Sequence, residues 1–244
     1  FLVKKYDPNL IYFVVDTFLA MSNREFDELK ELYSDYKIPF WMNTRAETIN
    51  EYRAAGLEEM NMLRMNIGIE HGNYEYRRNY LKRNVKNEVQ IRAFEIAAEH
   101  NYASCANSII GMPDETRDLI FDTINFVRKL PSNIDATGAF IFAPYHGTPL
   151  RTLAIEKGYI KEDEICSLSN TSASMLNMPT ISKEEISGLA KVFSLYTKFP
   201  KERWPEIKIA EKNDSEGDKM MEKLGVEFDQ TYRQFKAQAL DLHD

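Results

Sequence analysis

The stretch GMPDET at residues 111–116 most constrains what this chain can fold into. It follows an apolar, β-branched run at residues 107–110 and precedes a helix-like pattern at residues 117–121. A strand, a tight turn and a helix start therefore follow one another directly. In α/β proteins, ligands bind at the carboxyl ends of strands. The turn thus places a bare backbone and two carboxylates where a binding site is expected.

Four other apolar runs end in similar polar tips. The tips are DTF at residues 16–18, NTR at 43–45, GIEHGN at 68–73 and APYHGT at 143–148. Single helical patterns separate most of the runs, which predicts right-handed crossovers and a parallel sheet. We therefore expect the tips at residues 16–18, 43–45, 68–72, 107–113 and 142–147 to line one end of a (β/α) barrel.

Helix starts are marked by three capping boxes, in which a hydroxyl residue precedes a glutamate by three positions. They begin at Ser22, Thr48 and Ser182. After residue 150 the strand–helix alternation stops. The sequence thus predicts two parts: a partial barrel over residues 1–154 and a helical C-terminal extension over residues 155–244.

Composition narrows the class of protein. Hydrophobic residues make up 43% and charged residues 28% of the 244-residue chain, as in ordinary soluble proteins. The net charge is −7 without a Lys/Arg block, which argues against a nucleic-acid partner. Two cysteines provide no disulfide framework and favour the reducing cytoplasm. No run approaches the ~20 apolar residues of a membrane span.

The five tips, taken in order, resemble the radical S-adenosylmethionine (SAM) superfamily. The similarity is greatest to the branch whose members carry a cobalamin-binding domain upstream, and residues 10–150 follow its motif order without a gap. The resemblance implies a (β/α) barrel that begins here at its second strand, so that the first βα unit is missing.

One departure from the family pattern is severe. The family's C-x-x-x-C-x-x-C loop, which holds a four-iron–four-sulfur cluster, is absent, and the cysteines present are Cys105 and Cys166. We expect a fragment whose cluster ligands, first strand and cobalamin domain lie upstream in the same protein. A natural paralogue that has lost its cluster is the rival interpretation.

The resemblance implies reductive cleavage of SAM by the 4Fe-4S cluster, followed by radical chemistry on a small-molecule substrate. With cobalamin, the usual outcome is methyl transfer to an unactivated carbon. The sequence does not name the substrate. Two alternatives stay open: a cluster-free module that binds SAM without catalysis, and an unrelated barrel enzyme with acid–base chemistry from Glu70 and His71.

The resemblance also implies which side chains contact the cofactor. Glu70 is expected at the ribose diol, although an ion pair with Arg45 or Arg64 would explain it as well. Asp16 and Thr17 are expected at the SAM ammonium, with an Asx turn as the alternative for Asp16. The full set of predicted cofactor contacts is Asp16, Thr17, Asn43, Arg45, Glu70, Ile109, Gly111 and Phe142.

Substrate contacts are expected from His71, Tyr145 and His146. Glu115 is interpreted as a first-turn carboxylate favoured by the helix dipole. Cys105, inside a strand, is interpreted as an inert core thiol. The chain's four histidines are scattered and no C-x-x-C spacing exists, so no metal site is predicted within this chain.

Overall fold

A computed structural model describes residues 2–134, 136–166 and 173–232. Five strands form one sheet in chain order, and every neighbouring pair is parallel. The strands are β1 (Ile11–Phe13), β2 (Phe40–Arg45), β3 (Met62–Glu70), β4 (Ala103–Ile110) and β5 (Ala136–Ile141). The predicted α/β architecture, a partial barrel of parallel strands followed by a helical part, is confirmed.

Helices connect the strands and form the C-terminal part. Those of the described residues are α1 (Leu2–Tyr6), α2 (Asn23–Ser34), α3 (Glu51–Glu59), α4 (Tyr74–Tyr80), α5 (Asn87–Ala98), α6 (Arg117–Val127), α7 (Pro149–Glu156), α8 (Lys183–Lys198), α9 (Trp204–Ala210) and α10 (Ser215–Tyr232). The predicted helical segment at residues 233–244 lies outside the described residues.

Two of the three predicted capping boxes are confirmed, at Ser22 before α2 and at Ser182 before α8. The box at Thr48 is wrong. The Thr48 hydroxyl donates to the carbonyl of Arg45 within a 3₁₀ turn (2.7 Å), and Asn50 caps α3 instead by accepting from the Arg53 amide (2.9 Å). An Asn side chain can cap a helix as well as a hydroxyl does, and here it lies nearer to the first turn.

The strand ends differ from the sequence-based bounds. β1 ends at Phe13 because Val15 already donates to the Phe13 carbonyl in a turn. β2 continues through Arg45, which is paired with Gly68 of β3. The NTR segment is therefore part of a strand and not a loop tip.

Strand alternation separates two environments. Met42, Met65, Ile67 and Ile69 are buried in the hydrophobic core. Their chain neighbours project from the other face of the sheet, since successive strand residues point to opposite sides. That other face carries mostly polar residues and glycine, and it forms the candidate site.

The C-terminal helices pack directly on the sheet. At the β5 edge, Ser194 of α8 donates to the Thr137 carbonyl, and the hydroxyls of Thr137 and Thr197 are 2.6 Å apart. Covering an edge strand in this way protects its backbone groups. One hydrophobic cluster runs from the sheet through α8, α9 and α10. The division at residue 154 stays a prediction.

The crossing of α8 and the end of α9 depends on Gly188. A β-carbon added there would lie 2.4 Å from the carbonyl oxygen of Glu211. We expect Gly188→Ala to destabilise the fold by about 1–3 kcal/mol through overpacking. Gly225→Ala is the matched control, because a β-carbon there meets nothing within 4 Å, and alanine favours a helix by about 1 kcal/mol. Urea denaturation would measure both, and equal effects would contradict the assigned role of Gly188.

Candidate functional site

The polar face of the sheet lines a cavity of about 850 Å³. Strand register arranges its side chains in transverse rows, named here from the amino to the carboxyl ends of the strands. The floor row is Tyr12, Trp41 and Arg64; the middle row is Asn43, Asn66 and Cys105; the upper row is Arg45, Gly68, Asn107 and Gly138. The rim above them carries Asp16, Glu70, Ile109 and Phe140.

These rows explain why the interior stays open. In a closed (β/α) barrel, inward positions are usually filled by branched aliphatic side chains. Here the middle and upper rows hold mainly polar residues and glycine, and a β-carbon on Gly138 would meet no atom within 4 Å. The face therefore has room and hydrogen-bonding groups for a ligand.

Glu70 dominates the rim. Its backbone is in the left-handed region (φ 65°), where the β3–β4 register shifts, and its carboxylate accepts from Arg83 (2.8 Å). A β-carbon on Gly68 would lie 2.6 Å from Glu70 Oε1, so the carboxylate folds back over the strand in space that the glycine leaves free. Burial raises the pKa of Glu70, while Arg83, Arg45 and Arg77 act in the opposite direction.

Arg83 is the ion-pair partner of Glu70, and the sequence analysis missed it. The predicted alternatives were Arg45 and Arg64, but neither forms an ion pair with Glu70 among the described contacts. Arg83 follows α4 and is drawn toward the sheet between Glu70 and Glu47, whose carboxylate is 3.5 Å away. No local pattern connects a loop arginine to a strand tip.

The middle row forms a hydrogen-bonded chain. Asn66 Nδ2 donates to Asn43 Oδ1 (3.0 Å), and the Tyr12 hydroxyl donates to the same oxygen (3.1 Å). Because Tyr12, Asn43 and Asn66 come from three adjacent strands, the sheet itself fixes this arrangement.

The structure brings five predicted cofactor contacts to the cavity: Asp16, Asn43, Arg45, Glu70 and Ile109. The remaining predicted contacts lie outside its lining, namely Thr17, Gly111, Phe142, His71, Tyr145 and His146. Gly111 is buried beneath the turn after β4, and Phe142 packs against the hydrophobic core. Tyr145 and His146 are exposed in the loop after β5.

His71 is fully buried on the opposite side of the β3 end from Glu70. Its Nδ1 accepts from the Asn73 amide (3.0 Å), so the ring proton lies on Nε2 and is donated to Glu115 Oε1 (3.0 Å). This placement takes the imidazole out of the cavity lining and pairs it with Glu115.

The interpretation of Glu115 as a first-turn carboxylate is wrong. Helix α6 begins at Arg117 with Thr116 as its cap, so Glu115 lies before the helix. Its carboxylate is fully buried and accepts from the backbone amides of Gly111 and Met112 (3.1 Å for Met112). It closes the turn from inside, with Gly111 in the left-handed region (φ 77°) that glycine favours.

An aromatic column extends from this turn. The ring of Tyr76 stacks between those of His71 and Tyr80, with both centroid distances 4.4 Å. The Tyr80 hydroxyl donates to Asp114 (2.9 Å), which also accepts from Tyr159 (2.6 Å) and pairs with Lys157 (2.8 Å). Asp114 therefore joins α4 to the segment after α7.

Several cavity residues were not identified from sequence. They are Tyr12, Trp41, Arg64, Asn66 and Phe140. One signal could have found most of them: polar residues at every second position inside strands whose other positions are apolar, as at Arg64, Asn66 and Glu70.

The described part of the chain holds no group of three or more His, Cys, Asp or Glu side chains placed to bind a metal ion. Cys105 is buried in the middle row, and Cys166 lies far along the chain beyond α7. These thiols do not fit a four-iron–four-sulfur cluster. Separately, none of the described helices is both long and apolar enough to cross a membrane.

A family model of the radical SAM superfamily matches residues 2–127, just over half of the chain. The chain therefore belongs to the radical SAM superfamily. Membership excludes the unrelated acid–base barrel enzyme as an interpretation.

A curated relative is similar over part of its length. It is an uncharacterized methyltransferase of Pyrococcus horikoshii, 30% identical over 152 residues, which cover 62% of this chain and 32% of the relative. The chain thus spans about a third of the length of the curated relative that it matches.

Solved structures share the fold at low identity. One is the cobalamin-dependent SAM radical enzyme OxsB with aqua-cobalamin and SAM bound. The match covers 92% of this chain and 39% of the OxsB chain, with 12% identity and a TM-score of 0.52. Another is the radical SAM methyltransferase TsrM of Kitasatospora setae with cobalamin and a [4Fe-4S] cluster bound. The match covers 64% of this chain and 32% of the TsrM chain, with 16% identity and a TM-score of 0.50. These similarities show the fold alone.

The Asp114 contacts predict a pH-dependent contribution to stability. Burial raises the pKa of Asp114, but bonds from Lys157, Tyr159 and Tyr80 outweigh it and hold the pKa below the ordinary 3.8. A depressed carboxyl pKa stabilises the fold above the unfolded-state pKa, and this contribution is lost as the pH falls through the folded-state pKa. We expect Asp114→Asn to cost about 1–3 kcal/mol at neutral pH, and this cost should shrink as the pH falls below the ordinary carboxyl pKa.

Asparagine also tolerates the left-handed backbone of residue 114 (φ 62°), so this substitution isolates the charge. The exposed Asp118 provides the control Asp118→Asn, which should have little effect. Chemical denaturation between acid and neutral pH measures the difference. A cost for Asp114→Asn that does not change with pH would contradict this explanation.

Proposed function

We propose that this chain forms the SAM-binding and substrate-facing part of a cobalamin-dependent radical SAM methyltransferase. Superfamily membership, the methyltransferase relative and the cobalamin-bound structural neighbours support this proposal. The ligands of the 4Fe-4S cluster and of cobalamin would come from outside this chain. The substrate is a small molecule, and we place the reaction in the reducing cytoplasm because the chain carries thiols without a disulfide framework.

The Glu70 carboxylate over Gly68 is the observation that carries this proposal. SAM presents a ribose diol, a cationic sulfonium, an ammonium and a carboxylate. Ionised Glu70 can accept from both ribose hydroxyls, and charge-assisted bonds of this kind are stronger than neutral ones. Arg83 holds this carboxylate in place and opposes its protonation.

The other groups of SAM have complements around Glu70. Arg45 offers a guanidinium to the carboxylate of SAM, since its planar fork matches that geometry. Asp16 offers an acceptor to the ammonium. Gly68 and Gly138 leave bare backbone in the upper row, where a flat adenine can approach, and Ile109 offers an aliphatic contact to its face.

When bound, SAM supplies the radical chemistry that is characteristic of the superfamily. The residues of this chain bind and orient SAM and exclude water from the lumen, while the bond cleavage is a property of the cofactors. No step through a cluster is assigned to this chain, because its two thiols do not fit one. The presence of only two cysteines in the sequence also favours a second candidate function, that of a cluster-free module that binds SAM without catalysis.

We expect Glu70→Gln to weaken SAM binding by about tenfold, because a hydrogen bond to a charged group contributes about 1.5–3 kcal/mol. Calorimetry on the purified chain, with SAM and with S-adenosylhomocysteine, measures this loss. Since burial raises the pKa of Glu70, affinity should fall as the pH drops through that pKa, and the variant should lose this dependence.

Glu47→Gln is the matched control. Glu47 contacts the same arginine at 3.5 Å but lies outside the cavity lining, so its removal should leave the dissociation constant nearly unchanged. Equal binding by wild type and Glu70→Gln would remove Glu70 from the proposed site.

A separate prediction concerns iron. After anaerobic reconstitution with iron and sulfide, we expect this chain to hold much less than one four-iron cluster per molecule, because Cys105 and Cys166 are too few and too far apart. Iron and sulfide assays with a visible absorption spectrum measure it. Stoichiometric iron and sulfide with thiolate charge-transfer absorption would show that this expectation is wrong.

A further inference from the structure

The middle row presents an unused donor beside an unused acceptor. Asn43 Oδ1 accepts from both Asn66 Nδ2 and the Tyr12 hydroxyl. Asn43 Nδ2 and Asn66 Oδ1 then have no further partner among the described residues. Both residues line the cavity, so a ligand can reach these atoms.

Aromatic rings bound the same part of the cavity. Trp41 lies one row below, with the Arg64 guanidinium 4.8 Å from its ring and Tyr12 packed edge-on at 6.2 Å. The indole Nε1 of Trp41 is buried without a hydrogen-bond partner among the described residues. Buried polar groups of this kind are rare in proteins unless a ligand or water satisfies them.

The hydrogen-bonding pattern selects one class of ligand group. An ionised carboxylate has acceptors only and would meet the lone pairs of Asn66 Oδ1, whereas an ammonium has donors only and would meet the amide hydrogens of Asn43. A group with an N–H beside a C=O satisfies both atoms at once. A flat ring that carries such a group can also lie against the aromatic walls.

We propose that the floor and middle rows bind a planar, neutral substrate group that carries an N–H next to a C=O, as in an amide or a lactam. Calling this ligand the substrate rests on the function proposed above, in which SAM takes the upper row and the rim. Asn43, one row below Arg45, then contacts the substrate instead of SAM.

Three bicyclic probes of similar size test the proposal on the purified chain. Carbostyril is a lactam with both groups, N-methylcarbostyril lacks the N–H, and quinaldate carries a carboxylate. We expect carbostyril to bind about tenfold more tightly than N-methylcarbostyril, because the methyl group leaves Asn66 Oδ1 unsatisfied. Titration followed by NMR should show shifts of the Asn43 and Asn66 side-chain amides and of the Trp41 indole N–H.

Two variants locate the binding. Asn66→Leu should weaken carbostyril binding by about tenfold. Tyr12→Phe, at a half-exposed residue where folding is not at risk, should weaken it several-fold by releasing the Asn43 amide. Asn79→Leu, on the exposed face of α4, is the control and should have no effect.

The outcomes separate this proposal from the SAM site. Equal affinity for carbostyril and its N-methyl analogue, or tighter binding of quinaldate, would overturn the lactam assignment whether or not SAM binds. Selective carbostyril binding with no binding of S-adenosylhomocysteine would support the lactam pocket and contradict the proposed function. Loss of S-adenosylhomocysteine binding in Asn66→Leu would also overturn the division of the cavity into two sites.

Discussion

The buried carboxylate of Glu115 is the interaction on which the rest of the site depends. It accepts from two backbone amides of the turn after β4 and from the ring of His71 at the end of β3. A carboxylate removed from water is stable only when such donors surround it. The ends of two neighbouring strands are thereby fixed relative to each other, and Glu70, directly before His71, is directed into the cavity. Glu115 of the motif GMPDET thus supports the site without lining the cavity.

Sequence predicted the sheet well because its signals are local. The alternation of strand and helix patterns predicted the parallel sheet, and the caps at Ser22 and Ser182 predicted where α2 and α8 begin. The errors share a different cause. The roles of Glu115 and Arg83 are set by partners distant in the chain, and the cap at Asn50 by a turn that engages Thr48. Tertiary contacts decided each of these cases.

Sequence analysis missed several cavity residues because it assumed that ligands bind only at the carboxyl ends of the strands. Attention to strand ends identified Asp16, Asn43, Arg45 and Glu70, but not Asn66 or the aromatic residues Tyr12 and Trp41 within the strands. Asn66 lies inside β3, between positions whose side chains are buried, and a polar residue there has no local explanation. Such a residue is better interpreted as lining a lumen. The rows could therefore have been predicted, although the orientation of their amides could not.

An open, polar lumen also affects how the fold is stabilised. A closed barrel packs aliphatic side chains on both faces of its sheet, whereas this sheet has its apolar core on one face only. The C-terminal helices compensate for this. Helix α8 covers β5 and joins the core through residues such as Leu189, Val192 and Phe193, and Gly188 permits its close approach to α9. These contacts join the C-terminal helices to the apolar core of the sheet and add packing that the polar lumen does not provide.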